Sequence, residues 1–135
     1  MDLVNSMNIA AYGMKAQGDR LRVVSQNIAN AESVGKTPDQ IPYRRKVLSF
    51  RNALDKELGT EVVKVSKYSA DKSDFIKKYE PGHPAADKEG YVSYPNVNVM
   101  VEMVDMREAQ RGYEANLNVI DVSKNMIFQT LNMIK

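Results

Sequence analysis

The chain has 135 residues, of which 43% are hydrophobic and 27% charged, and its formal net charge is +2. This composition is that of a folded domain rather than a disordered or fibrous chain, and so small a charge does not favour a nucleic-acid groove. There is no cysteine, which excludes disulfides, thiolate catalysis and cysteine-ligated zinc. No uncharged apolar run approaches the roughly 18 residues of a membrane span, so we expect a chain that does not cross a membrane.

The first thirty or so residues carry an apolar repeat with a period of seven. Met7, Met14, Leu21 and Ile28 recur at every seventh residue. The intervening positions of the repeat are Leu3, Ala10, Gln17, Val24 and Ala31. Such a repeat predicts an amphipathic helix from about residue 3 to residue 31. Two glycines inside it weaken the helix by about 1 kcal/mol each relative to alanine, so we expect it to form by packing on another helix.

The middle of the chain favours a loop followed by a small β-rich module. Residues 34–42 are rich in glycine, proline and polar side chains, which predicts an exposed loop. Within 43–94 we predict strands at 43–50 and 60–68, where β-favouring residues are interleaved with charged ones. Residues 51–58 are ambiguous between a short helix and an irregular turn, and residues 71–90 predict a polar segment rich in turns.

The segment 95–135 carries a second repeat of seven. It begins at Pro95, with Asn96 and Asn98 as alternative caps of a helix. The positions of this repeat are Met103, Met106, Gln110, Tyr113, Leu117, Ile120, Lys124, Ile127, Leu131 and Ile134. A repeat this long predicts one helix that docks on other helices. We therefore expect an α+β fold in which long terminal helices (1–33 and 95–135) pack as an antiparallel coiled-coil-like pair, with the β-rich module inserted between them.

The residues of an active site are scarce in this sequence. His83 is the only histidine, and it lies in a Glu-Pro-Gly-His-Pro turn where a structural role is expected. The acidic residues around it do not have the spacing of a calcium loop. The basic run 44–46 favours a solvated strand face or a subunit contact over a phosphate site. With no glycine-rich phosphate loop and no serine-nucleophile motif, we expect no catalytic residue, no cofactor and no metal site.

Three stretches resemble the FlgC family of flagellar basal-body rod proteins. The first is SQNIANAES at 25–33, which is similar to the segment that ends the first helix of bacterial flagellar axial proteins. The others are EPGHPAADKEGYVSYPNVNV at 80–99 and EMVDMREAQRGYEAN at 102–116. The resemblance covers nearly the whole chain and fits its length. Gly112 departs from it, at a position where a small residue that favours helix more strongly is expected.

The resemblance implies a structural subunit of the proximal rod, which polymerises with copies of itself into the periplasmic drive shaft that transmits motor torque. It implies contacts with the rod proteins FlgB, FlgF and FlgG and with the base-plate protein FliE, and none with nucleic acid. It also implies export through the flagellar type III apparatus without a cleaved signal peptide. The N-terminal sequence agrees with that expectation, because no cation precedes Lys15.

Three groups of residues are expected to form the assembly interface. In the N-terminal helix they are Met7, Met14, Leu21, Val24 and Ile28. Asn27 and Asn30 close that helix and are candidates to bond to a neighbouring subunit. In the C-terminal helix they are Met103, Met106, Tyr113, Leu117, Ile120, Ile127, Leu131 and Ile134. The same apolar residues also suit the contact between the two helices of one chain.

Three alternatives stay open at this point. Another flagellar axial subunit would share the N-terminal segment and both helices, but the short length and the GHP, GYV and PNVNV segments speak against it. A generic coiled-coil adaptor would share both repeats but would have no reason to carry SQNIAN and PNVNV. An enzyme would depend on His83 almost alone.

Overall fold

The computed structural model describes residues 3–133 and contains two long helices and four strands. Their order is α1 (Leu3–Ala29), β1 (Lys46–Asp55), β2 (Thr60–Ala70), β3 (Ile76–Tyr79), β4 (Tyr91–Tyr94) and α2 (Val99–Met133). This is the predicted α+β class, with two long terminal helices packed together and a small module of two sheets between them in the chain. Both helices lie where the repeats predict them. Of the predicted interface residues, Ile134 lies outside the described part of the chain.

Side chains of asparagine mark both inner helix ends. Asn98 precedes α2, and its Oδ1 accepts hydrogen bonds from the backbone N–H groups of Met100 at 3.0 Å and Val101 at 3.4 Å. It therefore caps the helix and satisfies donors that have no partner within it. At the end of α1, Asn30 Nδ2 donates to the carbonyl of Gln26 at 2.8 Å, which satisfies one of the last free carbonyls.

β1 and β2 form a two-stranded hairpin. Its turn contains Gly59 with φ of 62°, a left-handed conformation that glycine adopts without steric cost. The predicted first strand is wrong in extent, because β1 runs from Lys46 to Asp55 and takes in most of the segment that was ambiguous in sequence. All of its residues are half-buried or exposed, so pairing with β2, rather than an apolar alternation, holds this segment extended.

β3 and β4 form a second, antiparallel pair, in which Ile76 is opposite Tyr94 and Tyr79 is opposite Tyr91. The rings of Tyr79 and Tyr91 meet edge to face, with 5.4 Å between their centroids. β3 was not predicted as a separate strand, because all of its residues are exposed and show no alternation.

The described chain forms two compact units. The first consists of residues 3–21, 48–67 and 106–133, and the second of residues 22–47 and 68–105. The buried apolar residues of the first unit are Ala10, Ala16, Val62 and Ala109. Those of the second unit are Val23, Val24, Ala31, Ala85, Val92 and Val97. Both cores are thus built from small side chains, which allow neighbouring backbones to approach closely.

Candidate assembly surfaces

In the first unit, α1 and α2 pack against each other in antiparallel directions. A Cβ atom added to Gly13 would lie 2.7 Å from Asn116 Oδ1, and one added to Gly112 would lie 3.1 Å from Gln17 Cδ. Residue numbers therefore fall along α2 as they rise along α1, as predicted. The short distances also explain Gly112, since a larger residue there would press on the Gln17 side chain.

The row of α2 that meets α1 is displaced by one residue from the predicted row. Ala109 is fully buried and Ser123 is 5% exposed. Together with Asn116 they are spaced by seven residues, and each lies one position before a member of the predicted row that contains Leu117. Small and polar side chains therefore make the contact between the two helices. Because the distance between helix axes depends on the side chains at the contact, these residues let the helices approach closely.

As a consequence, part of the predicted C-terminal interface points away from the packed side of the helix. Met103, Tyr113, Leu117 and Leu131 are 48%, 37%, 42% and 54% exposed. Met106, Ile120 and Ile127 are half-buried beside the row that contacts α1. Phe128, which was not predicted, is exposed on the same side of α2 as Leu117. We call Tyr113, Leu117, Phe128 and Leu131 the Leu117 stripe.

A second exposed apolar stripe was missed in the sequence. It consists of Val119, Val122, Met126 and Met133, all of them exposed, and we call it the Val122 stripe. At about 100° per residue, it lies on the flank of α2 opposite the Leu117 stripe, with the buried row between the two. Its spacings of three, four and seven residues carry the same period as the predicted repeat. The predicted repeat started at Met103 and followed one set of positions along the helix, so it did not include the residues of the Val122 stripe.

The predicted residues of the N-terminal helix lie closer to the cores. Met7, Met14, Leu21 and Ile28 are half-buried, and Val24 is 4% exposed. Val24 therefore belongs to the core of the second unit, whereas the other four reach the surface with part of their side chains.

Asn27 has its contacts inside this chain and is only 1% exposed. Its Oδ1 accepts from the backbone N–H of Lys46 at 2.8 Å and from the Tyr43 hydroxyl at 2.9 Å. Its Nδ2 donates to the carbonyl of Lys46 at 2.8 Å and to Glu102 Oε2 at 3.0 Å. The amide thus pairs with the first residue of β1 as a neighbouring strand would, and its hydrogen-bonding capacity is filled.

An ion-pair cluster around a buried glutamate adjoins Asn27 in the second unit. Glu102 is fully buried and accepts a hydrogen bond from Arg45 Nε. The guanidinium of Arg45 also lies 3.7 Å from Asp71 Oδ2 and 3.7 Å from Asp105 Oδ2. Burial lowers the pKa of Arg45, but the hydrogen bond to Glu102 and the surrounding carboxylates outweigh it and raise that pKa above its ordinary value. Sequence reasoning missed this cluster because a glutamate in a helix is usually solvated.

A second polar contact holds the β1–β2 hairpin on α1 in the first unit. The Tyr12 hydroxyl donates to Asp55 Oδ2 at 2.9 Å, and Lys64 Nζ lies 3.3 Å from the same oxygen. The hydrogen bond from Tyr12 is the main cause that lowers the pKa of Asp55. Desolvation raises that pKa by a smaller amount, and the hydrogen bond from Lys64 lowers it further. None of these three residues stood out in the sequence.

His83 and the basic run have local structural contacts. Nδ1 of His83 accepts from the backbone N–H of Ala85 at 3.1 Å, within the proline-rich turn. Arg44 stacks on the Phe75 ring at 4.3 Å and donates to the carbonyl of Asp71. Between residues 3 and 133, no group of three or more acidic or histidine side chains is placed to hold a metal ion. The contacts of His83 and Arg44 are thus local ones within the second unit.

Comparison with known proteins identifies the family. A family model described as "Flagellar basal body rod FlgEFG protein C-terminal" matches residues 88–133, which include β4 and the described part of α2. The flagellar basal-body rod protein FlgC of Agrobacterium fabrum is 51% identical over 127 residues, covering 94% of this chain and 91% of the relative. The chain belongs to the FlgC family of flagellar basal-body rod proteins.

Other FlgC-family relatives match over all or nearly all of their lengths. FlgC of Salmonella typhimurium is 41% identical over 133 residues, covering 98% of each chain. FlgC of Bacillus subtilis is 36% identical over 150 residues, covering 100% of each. The resemblance seen in three stretches of the sequence is thereby confirmed. Within the described residues, no helix of this FlgC-family chain is both long and apolar enough to cross a membrane.

Proposed function

We propose that this chain is a structural subunit of the flagellar basal-body rod that polymerises with copies of itself into the proximal rod through its terminal helices. The observation that carries the proposal is the position of the large apolar side chains of α2. Eight of the ten between residues 113 and 133 lie on two exposed stripes, while small and polar residues fill the contact with α1. Exposed apolar surface of this extent and regularity is typical of sites of protein association.

The energy available from the Leu117 stripe is large enough to drive assembly. Full burial of one such side chain contributes roughly 1.5–3 kcal/mol, and these four are about half exposed. Covering the stripe therefore contributes roughly 4 kcal/mol before the cost of association. α2 has 35 residues, so it extends over about 52 Å, and contacts distributed along that length fix the register of neighbours.

Two stripes on opposite flanks favour an open assembly over a closed pair. An isologous dimer uses one surface patch twice and would leave the other stripe in water. Two different neighbours are needed to cover both stripes of one α2. The half-buried residues Met7, Met14, Leu21 and Ile28 of α1, and Met106, Ile120 and Ile127 of α2, add apolar surface at the edges of these contacts. Val24 and Asn27 support the interface from within the chain, and Asn30 holds the end of α1.

The proposal extends to the location and the partners of the subunit. We place the subunit in the periplasmic part of the basal body, in contact with FlgB, FlgF, FlgG and FliE, where it transmits torque and has no catalytic role. We also assign its export to the flagellar type III apparatus, without a cleaved signal peptide. Two features support export in an unfolded form: the glycines at positions 13, 18 and 112 weaken both helices, and the cores contain mainly alanine and valine. A chain with a small margin of stability unfolds at low cost.

Leu117→Asp tests this function, with Asn118→Asp as its matched control. Each variant is expressed in a host that lacks the native gene, and isolated basal bodies are imaged while swimming is scored. Leu117→Asp is expected to abolish the rod, because assembly would bury an unpaired carboxylate. Asn118→Asp adds the same charge on the polar side of α2 and is expected to swim normally. Normal swimming of Leu117→Asp would overturn the proposal.

A further inference from the structure

We infer that the Leu117 stripe of one copy packs on the exposed face of α1 in the next copy, in an antiparallel register that places Leu117 opposite Gly18 and Asp121 opposite Lys15. This inference rests on the proposed function, since it requires the chain to assemble with itself. It adds to that function by naming the receiving surface and the register of the contact.

The receiving face of α1 has low relief and is open in the first unit. Val4, Ala11 and Lys15 are exposed, and a Cβ atom added to Gly18 would meet nothing within 4 Å. Val4, Ala11 and Gly18 are spaced by seven residues, so they lie in one row beside half-buried Met14. A row of small residues next to a row of larger apolar ones is a surface into which bulky side chains of another helix fit.

The spacing on the two helices matches. Fourteen residues separate Val4 from Gly18 on α1, and fourteen separate Leu117 from Leu131 on α2. In an antiparallel pair, Leu117 therefore inserts at Gly18 while Leu131 meets Val4, as knobs fit into holes. Lys124 then falls opposite Ala11, where the small residue leaves room for its aliphatic stem.

Charge complementarity supports the same register. Lys15 on α1 and Asp121 on α2 are both exposed, and neither forms an ion pair with another residue of the described chain 3–133. When Leu117 is opposite Gly18, Lys15 and Asp121 face each other about one helical turn from that contact. A shift by one heptad would instead bring Lys15 to Glu114 and move Leu131 beyond Val4, leaving more of the stripe uncovered.

The occupant is a second copy of this chain because the bulky stripe and the receiving face match each other in spacing and in charge. Each copy gives α2 to one neighbour and α1 to another, so the contact is heterologous and repeats. This arrangement explains why the stripe is exposed in the single chain.

Charge reversal tests the register. We expect Lys15→Glu and Asp121→Lys each to reduce swimming and the yield of rods severalfold, and the double variant to restore both. Lys56→Glu, which reverses an exposed lysine in the hairpin turn, is the control and is expected to have no effect. Failure of the double variant to recover would overturn the inference. Rescue of Lys15→Glu by Glu114→Lys rather than by Asp121→Lys would also overturn the register.

Cysteine pairs test the contact directly, since the chain contains no cysteine. Basal bodies that carry Gly18→Cys together with Leu117→Cys are treated with a mild oxidant and separated without reductant. A heterologous contact yields a ladder of cross-linked multimers, because each copy is joined to two neighbours; each single variant yields monomer. Monomer alone from the double variant, or dimers from a single variant, would overturn the inference. If Leu117→Asp abolishes rods while these tests fail, the proposed function stands and only the register is wrong.

Discussion

Replacement of Asn27 by alanine is expected to destabilise the second unit strongly. The substitution removes four hydrogen bonds, three of them to neutral groups and one to the carboxylate of Glu102. A neutral hydrogen bond contributes about 1 kcal/mol net, and one to a charged group about 1.5–3 kcal/mol. These four bonds share one side chain, and the contributions of coupled groups do not add in full. The free energy of unfolding should therefore fall by about 4 kcal/mol.

The matched control for this change lies three residues away in the same SQNIAN segment. Asn30 makes one hydrogen bond to the carbonyl of Gln26 and accepts one from the Ser33 hydroxyl at 3.3 Å, both at an exposed helix end. Water can replace these bonds, so Asn30→Ala should cost about 1 kcal/mol or less. The same substitution at two asparagines thus separates a buried role from a surface one.

Urea unfolding of the purified variants, followed by far-UV circular dichroism, measures both effects. A loss of about 4 kcal/mol is a large share of the 5–15 kcal/mol by which small domains are usually stable, so Asn27→Ala should unfold at a much lower urea concentration. If Asn27→Ala and Asn30→Ala unfolded with the same free energy, the buried network would not hold β1 on the helices as described.

Two further predictions concern the first unit. Gly18→Ala should stabilise the chain by up to about 1 kcal/mol, because alanine favours helix and the added Cβ meets no atom within 4 Å. Gly13→Ala should not stabilise it, because the added Cβ would lie 2.7 Å from Asn116 Oδ1. Thermal unfolding compares the two variants, and equal shifts of the unfolding temperature would contradict the packing of α1 on α2. The lowered pKa of Asp55 contributes stability that is present above its unfolded-state pKa and is lost as the pH falls through the folded one. Tyr12→Phe removes the main cause of that lowering, so its stability deficit relative to the wild type should shrink on acidification, and a deficit that is constant with pH would contradict this.

The helices could be predicted from the sequence, and the way they meet could not. The period of seven places α1 and α2 to within a few residues because it depends only on helical geometry. The row of α2 that contacts α1 was not predicted, because it contains Ala109 and Ser123, which are not large apolar residues. A helix with apolar residues on both flanks offers several phases for one repeat. Packing selects the phase that brings the backbones closest.

The strands and the buried cluster escaped prediction for a different reason. β3 has four residues, all of them exposed, so only its pairing with β4 identifies it as a strand. Glu102 pairs with Arg45, 57 positions away, so nothing in the local sequence distinguishes it from a solvated glutamate. Asn27 was singled out by its motif, but the motif could not show that its four hydrogen bonds lie within one chain.

The choice of residues in the helix contact has a consequence for assembly. Because Ala109, Asn116 and Ser123 bury little apolar area against α1, the chain gains less hydrophobic stabilisation alone than its content of large apolar residues would allow. The unused part lies on the Leu117 and Val122 stripes, which neighbouring subunits cover under the proposed function. Polar groups in the contact row, such as the Asn116 amide against Gly13, fix the register of α1 and α2 by geometry instead of by area. Under the proposed function, the same helix is held in register within the subunit and gains further hydrophobic stabilisation when neighbours cover its stripes.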